Sequence, residues 1–209
     1  MSKNRLEAFS DGVIAIILTI MVLELKAPRD YTLSALLALW PVYAAYCLSY
    51  WFVFRVWLNH HDAFHAVQQV DGHILVFNGL LLFASSLIPF ATAYAGEAHW
   101  NETLPVTIYG FVMVCVCLAT SRLRVLAGAL AGNPLDREIQ RLEARKSLYV
   151  AAAFVLSTAL ALVHPRLSLL AFALIPVIAH VHHRSLRSLR RPGDAVVHPG
   201  SSGEAHGAP

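Results

Sequence analysis

Three groups of residues in this sequence could do chemistry. The first heads the chain, where Arg5, Ser10 and Asp11 stand in the run Arg5-Leu6-Glu7-Ala8-Phe9-Ser10-Asp11-Gly12, directly before the apolar stretch Val13–Leu25. An ionisable residue at membrane depth is expensive, and by default it suggests function or a buried partner. Ser10 and Asp11 could cap a helix start and complement its dipole. With Arg5 they could instead join polar groups of neighbouring spans, such as His61 and Asn78, in a network that locks helix ends together. Direct ion binding is the third use open to them.

The second group lies on one helix face. At a period of 3.6 residues Gly12, Ile16, Thr19 and Leu23 share a stripe, with Ala15 and Ile20 at its margins. Small residues let helices approach closely, so packing is the plain reading of such a stripe. Several copies around an axis would instead make apolar rings that gate by dewetting and a hydroxyl ring able to coordinate a partly dehydrated cation. The third group is histidine: His60, His61 and His65, with His180, His182 and His183. His61-x-x-x-His65 places two imidazoles on one face, as metal ligation requires. Carboxylates near these histidines are scarce and no third histidine box exists, so interfacial histidines meeting water or headgroups are the simpler reading.

The elements that must position these groups are membrane spans. The chain has 209 residues, 57% of them hydrophobic and 14% charged, with mean hydropathy +0.56. A soluble chain is about a quarter charged, and the apolar blocks here approach or exceed the roughly 20 residues that cross hydrocarbon. Six spans are expected: Ala8–Leu25, Leu33–Leu58 with a kink at Pro41, Val70–Tyr94, Leu104–Leu123, Ser147–Val163 and Leu167–His183. Asn133-Pro134 reads as the cap and first residue of an amphipathic helix running straight into the fifth span. The domain is taken as 1–191, and the Gly/Ser/Ala/Pro-rich tail 192–209 as disordered. No cleavable signal peptide is visible. Cys47, Cys115 and Cys117 lie inside apolar blocks and read as buried thiols.

Charge orients the spans. With the N-terminus inside, the cytoplasmic segments hold Lys3, Arg5, Arg55, Arg122, Arg124, Arg137, Arg141, Arg145, Lys146, Arg184, Arg187, Arg190 and Arg191, and the outer loops only Lys26, Arg29 and Arg166. The positive-inside rule then puts both termini in the cytoplasm of a multi-pass protein of the cell membrane. Arg184, Arg187 and Arg190 follow the last span, where they suit anionic lipid headgroups better than voltage sensing. Glu24, at the outer end of span one, could draw cations to a mouth or simply meet Lys26. No nucleotide loop, nucleophile elbow or catalytic acid pair is present, so no enzyme and no cofactor is expected.

Taken together, Arg5-x-x-x-Phe9-Ser10-Asp11, Trp57-x-x-His60-His61, Asn78 and Leu87-Ile88-Pro89-Phe90-Ala91-Thr92 resemble the prokaryotic branch of the lysosomal potassium-channel family called transmembrane protein 175. The resemblance covers all six spans; it is specific in the first three and topological in the last three. It implies an all-α homotetramer of six-helix chains, with the first helix of each lining a central pore that passes potassium in preference to sodium. It implies apolar constrictions at Ile16 and Leu23 and a hydroxyl ring at Thr19. Arg5, Phe9, Ser10 and Asp11 would hold the pore helix to spans two and three. Gly12 departs from the Ala or other small residue of many members. The rivals are a proton-coupled secondary transporter relaying through Asp11 and nearby histidines, though no inverted repeat is seen, and a histidine-ligated membrane oxidoreductase.

Overall fold

The protein is seen here as a computed structural model that describes residues 2–67 and 69–175. Among the described residues the secondary structure is helical: α1 (Lys3–Leu23), α2 (Leu33–Ala38), α3 (Trp40–Ala66), α4 (Gly72–Ser86), α5 (Ile88–Glu97), α6 (Thr103–Ala129) and α7 (Pro134–Ala159), then a short 3-10 turn at Leu160–Leu162 and α8 (Pro165–Ile175). The last part of the expected sixth span, His180, His182, His183, the arginines beyond them and the tail 192–209 lie outside the described residues.

Among the described residues, four segments are long and apolar enough to cross a membrane: Lys3–Leu23, Gly72–Glu97, Thr103–Ala129 and Pro134–Leu162. α3 is equally long but carries Arg55, His60, His61, Asp62 and His65 in its second half. Several boundaries differ from the sequence reading: α1 begins at Lys3 and not Ala8, the third span is broken at Leu87 into α4 and α5, and α6 runs on past Leu123 to Ala129. Pro41 does not kink a span; the chain breaks at Leu39, and Pro41 sits in the first turn of a new helix, where its missing N–H costs nothing. The polar stretch from Asn59 to His65 is not a link but the end of α3. At the start of α7 local chemistry sets the end as expected: Asn133 accepts from the Asp136 amide at 2.7 Å, and α7 runs straight into the fifth span as far as Ala159, where a 3-10 turn follows.

The helices share one continuous apolar core. α6 and α7 lie against each other closely enough that a Cβ on Gly110 would strike Thr158 Oγ1. Beneath them Phe52, Trp100, Tyr109, Phe154 and Phe172 form an aromatic cluster with successive centroids 5.2–5.5 Å apart. His99 and Trp100 adopt left-handed φ values of 50° and 55°, which turn the α5–α6 corner and tuck the indole inside, where it donates to the Pro41 carbonyl at 3.2 Å. At the opposite end the buried Arg124 donates to Gln140 Oε1 at 2.8 Å and to both oxygens of Asn59 at 3.0 Å, clamping α3, α6 and α7. α1 packs on α3, α4 and α5. Of the three cysteines only Cys117 is buried; Cys115 is partly covered and Cys47 is exposed, so the expectation of three buried thiols is corrected.

Candidate functional site

α1 has two unlike faces. Leu6, Ser10, Ile14, Ile17 and Met21 recur at steps of three and four and are buried, so they form the stripe that meets the rest of the protomer. The other face is bare. Gly12, Ala15, Ile16, Thr19, Ile20 and Leu23 are all exposed. Thr19 spends its hydroxyl hydrogen on the Ile16 carbonyl at 2.9 Å, which leaves the oxygen lone pairs free to face outward. Gly12 causes no break in the helix, and the space where its Cβ would stand is open.

The covered face is held by hydrogen bonds. Ser10 Oγ donates to the Leu6 carbonyl at 2.9 Å, Asn78 Nδ2 donates to Ser10 Oγ at 2.9 Å, and His60 Nε2 stands 2.8 Å from Asn78 Oδ1. Ser10, Asn78 and His60 are each buried to within 2%. The directions are forced: Ser10 has one hydrogen and uses it on Leu6, so it must accept from the amide. Asn78 therefore turns its oxygen to His60, and Nε2 carries the proton. A second tie joins α1 to α3, where Trp57 Nε1 donates to Asp11 Oδ1 at 2.9 Å.

The helix-start capping considered for Ser10 and Asp11 does not occur, because α1 begins at Lys3 and both residues lie well inside it. The network that forms also differs in membership from the expected one. His61 does not reach Asn78; it is exposed, its ring stacked on Trp57 and tilted against His65. Its neighbour His60 takes the inward position, since adjacent helical residues point about 100° apart. Counting back from His60 by helical steps gives Val56, Val53, Ser49 and Ala45, all buried, so His60 lies on the covered face of α3. Arg5 and Phe9 stand exposed on the protomer rather than in the network. Sequence reasoning also missed a polar knot deeper in the helices, where Thr92 donates to Ser49 at 2.8 Å and Ser49 lies 3.1 Å from the Tyr109 hydroxyl. The His61 and His65 centroids are 6.3 Å apart, and among the described residues no group of three potential ligands could share a metal ion.

At the outer end of α1, Lys26 pairs with Glu97 of α5 at 2.7 Å rather than with Glu24. The hydrogen bond and the charge of Glu97 raise the pKa of this exposed ammonium, with a lesser push from Glu24. A groove between α1 and α5 runs from Val13 to Glu24 on one wall and from Ser86 to Ala93 on the other.

The comparisons with known proteins converge on one lineage. The profile of the family described as endosomal/lysosomal potassium channel TMEM175 matches residues 5–89, the stretch that contains α1 and each residue of its hydrogen-bonded ties. A potassium channel of Chamaesiphon minutus is 33% identical over 170 residues, covering 74% of this chain and 83% of that protein. One from a Chryseobacterium species is 46% identical over 119 residues, covering 57% of this chain and 62% of that relative's length. The crystal structure of a lysosomal potassium-selective channel TMEM175 homologue from Chamaesiphon minutus superposes with a TM-score of 0.74 at 29% identity, covering 89% of this chain and 97% of that one. The family and these relatives are ion channels, not enzymes. With the fold, the two ties on α1 and a relative aligned over most of its length all in agreement, the chain belongs to the TMEM175 family, on its prokaryotic branch.

Proposed function

We propose that the protein is a passive, potassium-preferring cation channel, a homotetramer in which four copies of α1 line the conduction path. The observation that carries this reading is the asymmetry of α1: the face bearing Gly12, Ile16, Thr19 and Leu23 is left uncovered by its own protomer, while the opposite face is bonded to α3 and α4. Thr19 places the one hydroxyl of that stripe between Ile16 and Leu23, with its oxygen lone pairs turned outward. Around a fourfold axis Ile16 and Leu23 supply constrictions that dewet when closed, and Thr19 supplies oxygen between them. Gly12, Ala15 and Ile20 border that path. The names of the relatives support potassium as the permeant ion.

In this reading each chain crosses the cell membrane six times with both ends in the cytoplasm. α3 and α8 with its continuation complete the four spans already apparent, and the basic bias of the cytoplasmic segments orients them. Arg184, Arg187, Arg190 and Arg191 then meet anionic inner-leaflet lipid. Reversal potentials of purified protein in bilayers with mixed potassium and sodium test the function, and mass in detergent tests the assembly. A four-chain mass and a potassium-directed reversal potential that weakens in Thr19→Ala are expected. Unaltered selectivity in Thr19→Ala removes the hydroxyl ring from the account, and saturable uptake coupled to pH replaces the channel by a carrier.

A further inference from the structure

We infer that Glu24 governs cation throughput at the outer mouth, as a carboxylate kept deliberately un-neutralised where α1 ends; this rests on the channel reading above. Glu24 is the C-cap of α1, one residue beyond the exposed Leu23, and it shares a groove wall with Ile16 and Ile20. The cation best placed to cancel it is Lys26, two residues on. Lys26 instead turns to Glu97 at 2.7 Å. The Glu24 side chain makes no hydrogen bond or ion pair among the described residues, and the charge of Lys26 acts on it only through space, more weakly than on Glu97. Its neighbours across the groove, Phe90 and Ala93, are apolar, and low-dielectric walls focus the field of a charge into the adjoining water.

Position follows from helical geometry. Glu24 lies four residues beyond Ile20, on the margin of the bare stripe, so in an assembly that turns this stripe to a common axis every copy brings one carboxylate to the rim. The Lys26–Glu97 pair contributes no net charge there, and the rim is negative. Such a rim raises the local concentration of cations without binding any one of them, so its influence must fade as salt screens it.

Unitary conductance of the purified full-length channel in bilayers tests this at about 10 mM and about 1 M potassium chloride, where the screening length is ~30 Å and ~3 Å. Glu24→Gln should lower conductance at least about twofold in the dilute solution and match the unaltered protein in the concentrated one. Glu24→Lys should lower it further, and Glu97→Gln, which frees Lys26, should fall between. Equal conductance of Glu24→Gln and the unaltered protein in dilute salt overturns the inference, as does a loss that persists in concentrated salt. A companion variant, Leu23→Cys with Cys47→Ser, separates this from the underlying reading. Block by an external cationic thiol reagent upholds the pore, so that a silent Glu24→Gln then sinks Glu24 alone. Absence of block sinks the pore and the inference with it.

Discussion

Along α1, the inward residues Leu6, Ser10, Ile14, Ile17 and Met21 are at most 3% exposed, while Ile16 is 57% and Leu23 75% exposed. In water such a contrast would separate core from liability. In lipid it does not, because hydrocarbon tails receive an exposed isoleucine as readily as a protein core does. What distinguishes the two faces is their polar chemistry. The inward face is tied to other helices by Ser10 and by Asp11 at its border, whereas the hydroxyl of the outward face satisfies itself within its own turn. One face is built to stay put, and the other is built to need nothing from its own protomer.

The comparison can be broken from either side. The largest effect is expected from Asn78→Leu, which strips acceptor and donor from the middle of the inward tie and leaves the His60 N–H buried and unpaired. A loss of roughly 1–3 kcal/mol is expected, seen as an earlier thermal loss of the assembled peak in detergent size exclusion. Next comes Ile16→Asn on the outward face. By wetting the proposed constriction it should raise current about tenfold, equivalent to ~1.4 kcal/mol, with melting unchanged. A destabilised protein with unaltered current would reverse the roles assigned to the two faces. Trp57→Phe removes one hydrogen bond to Asp11 and should cost about 1 kcal/mol on the same melting assay. The smallest effect belongs to His61→Gln, expected to stay within ~0.5 kcal/mol while His60→Leu behaves like Asn78→Leu. Equal losses at positions 60 and 61 would erase the distinction between the inward and outward imidazole.

The stripe and the motif were legible in the sequence because α1 is a single regular helix, and its period of 3.6 carries across the whole run from Leu6 to Leu23. Asn133-Pro134 was legible for a similar local reason. The phase of α3 was not, since aromatic residues surround it on most sides and its apolar pattern does not point in one direction. That is why His61 stood in for His60. The break at Leu39 was hidden because a proline within an apolar block suits a kinked helix as well as a fresh start. Lys26 and Glu97 are separated by 71 residues, and nothing near either one announces the pairing. That Arg5 and Phe9 would stand clear of the tie, although they belong to the same motif, follows from their angular position on α1 and not from their residue type.

The order of donors in the tie on α1 has one more consequence. His60 gives to Asn78, Asn78 gives to Ser10, and Ser10 gives to the Leu6 carbonyl, so every hydrogen points the same way and the row ends on the main chain. A carboxamide neither releases nor accepts a proton at physiological pH, and it occupies the middle of the row. The arrangement is therefore a latch and not a wire: it can hold three helices in register, but no proton can hop along it from the imidazole to α1.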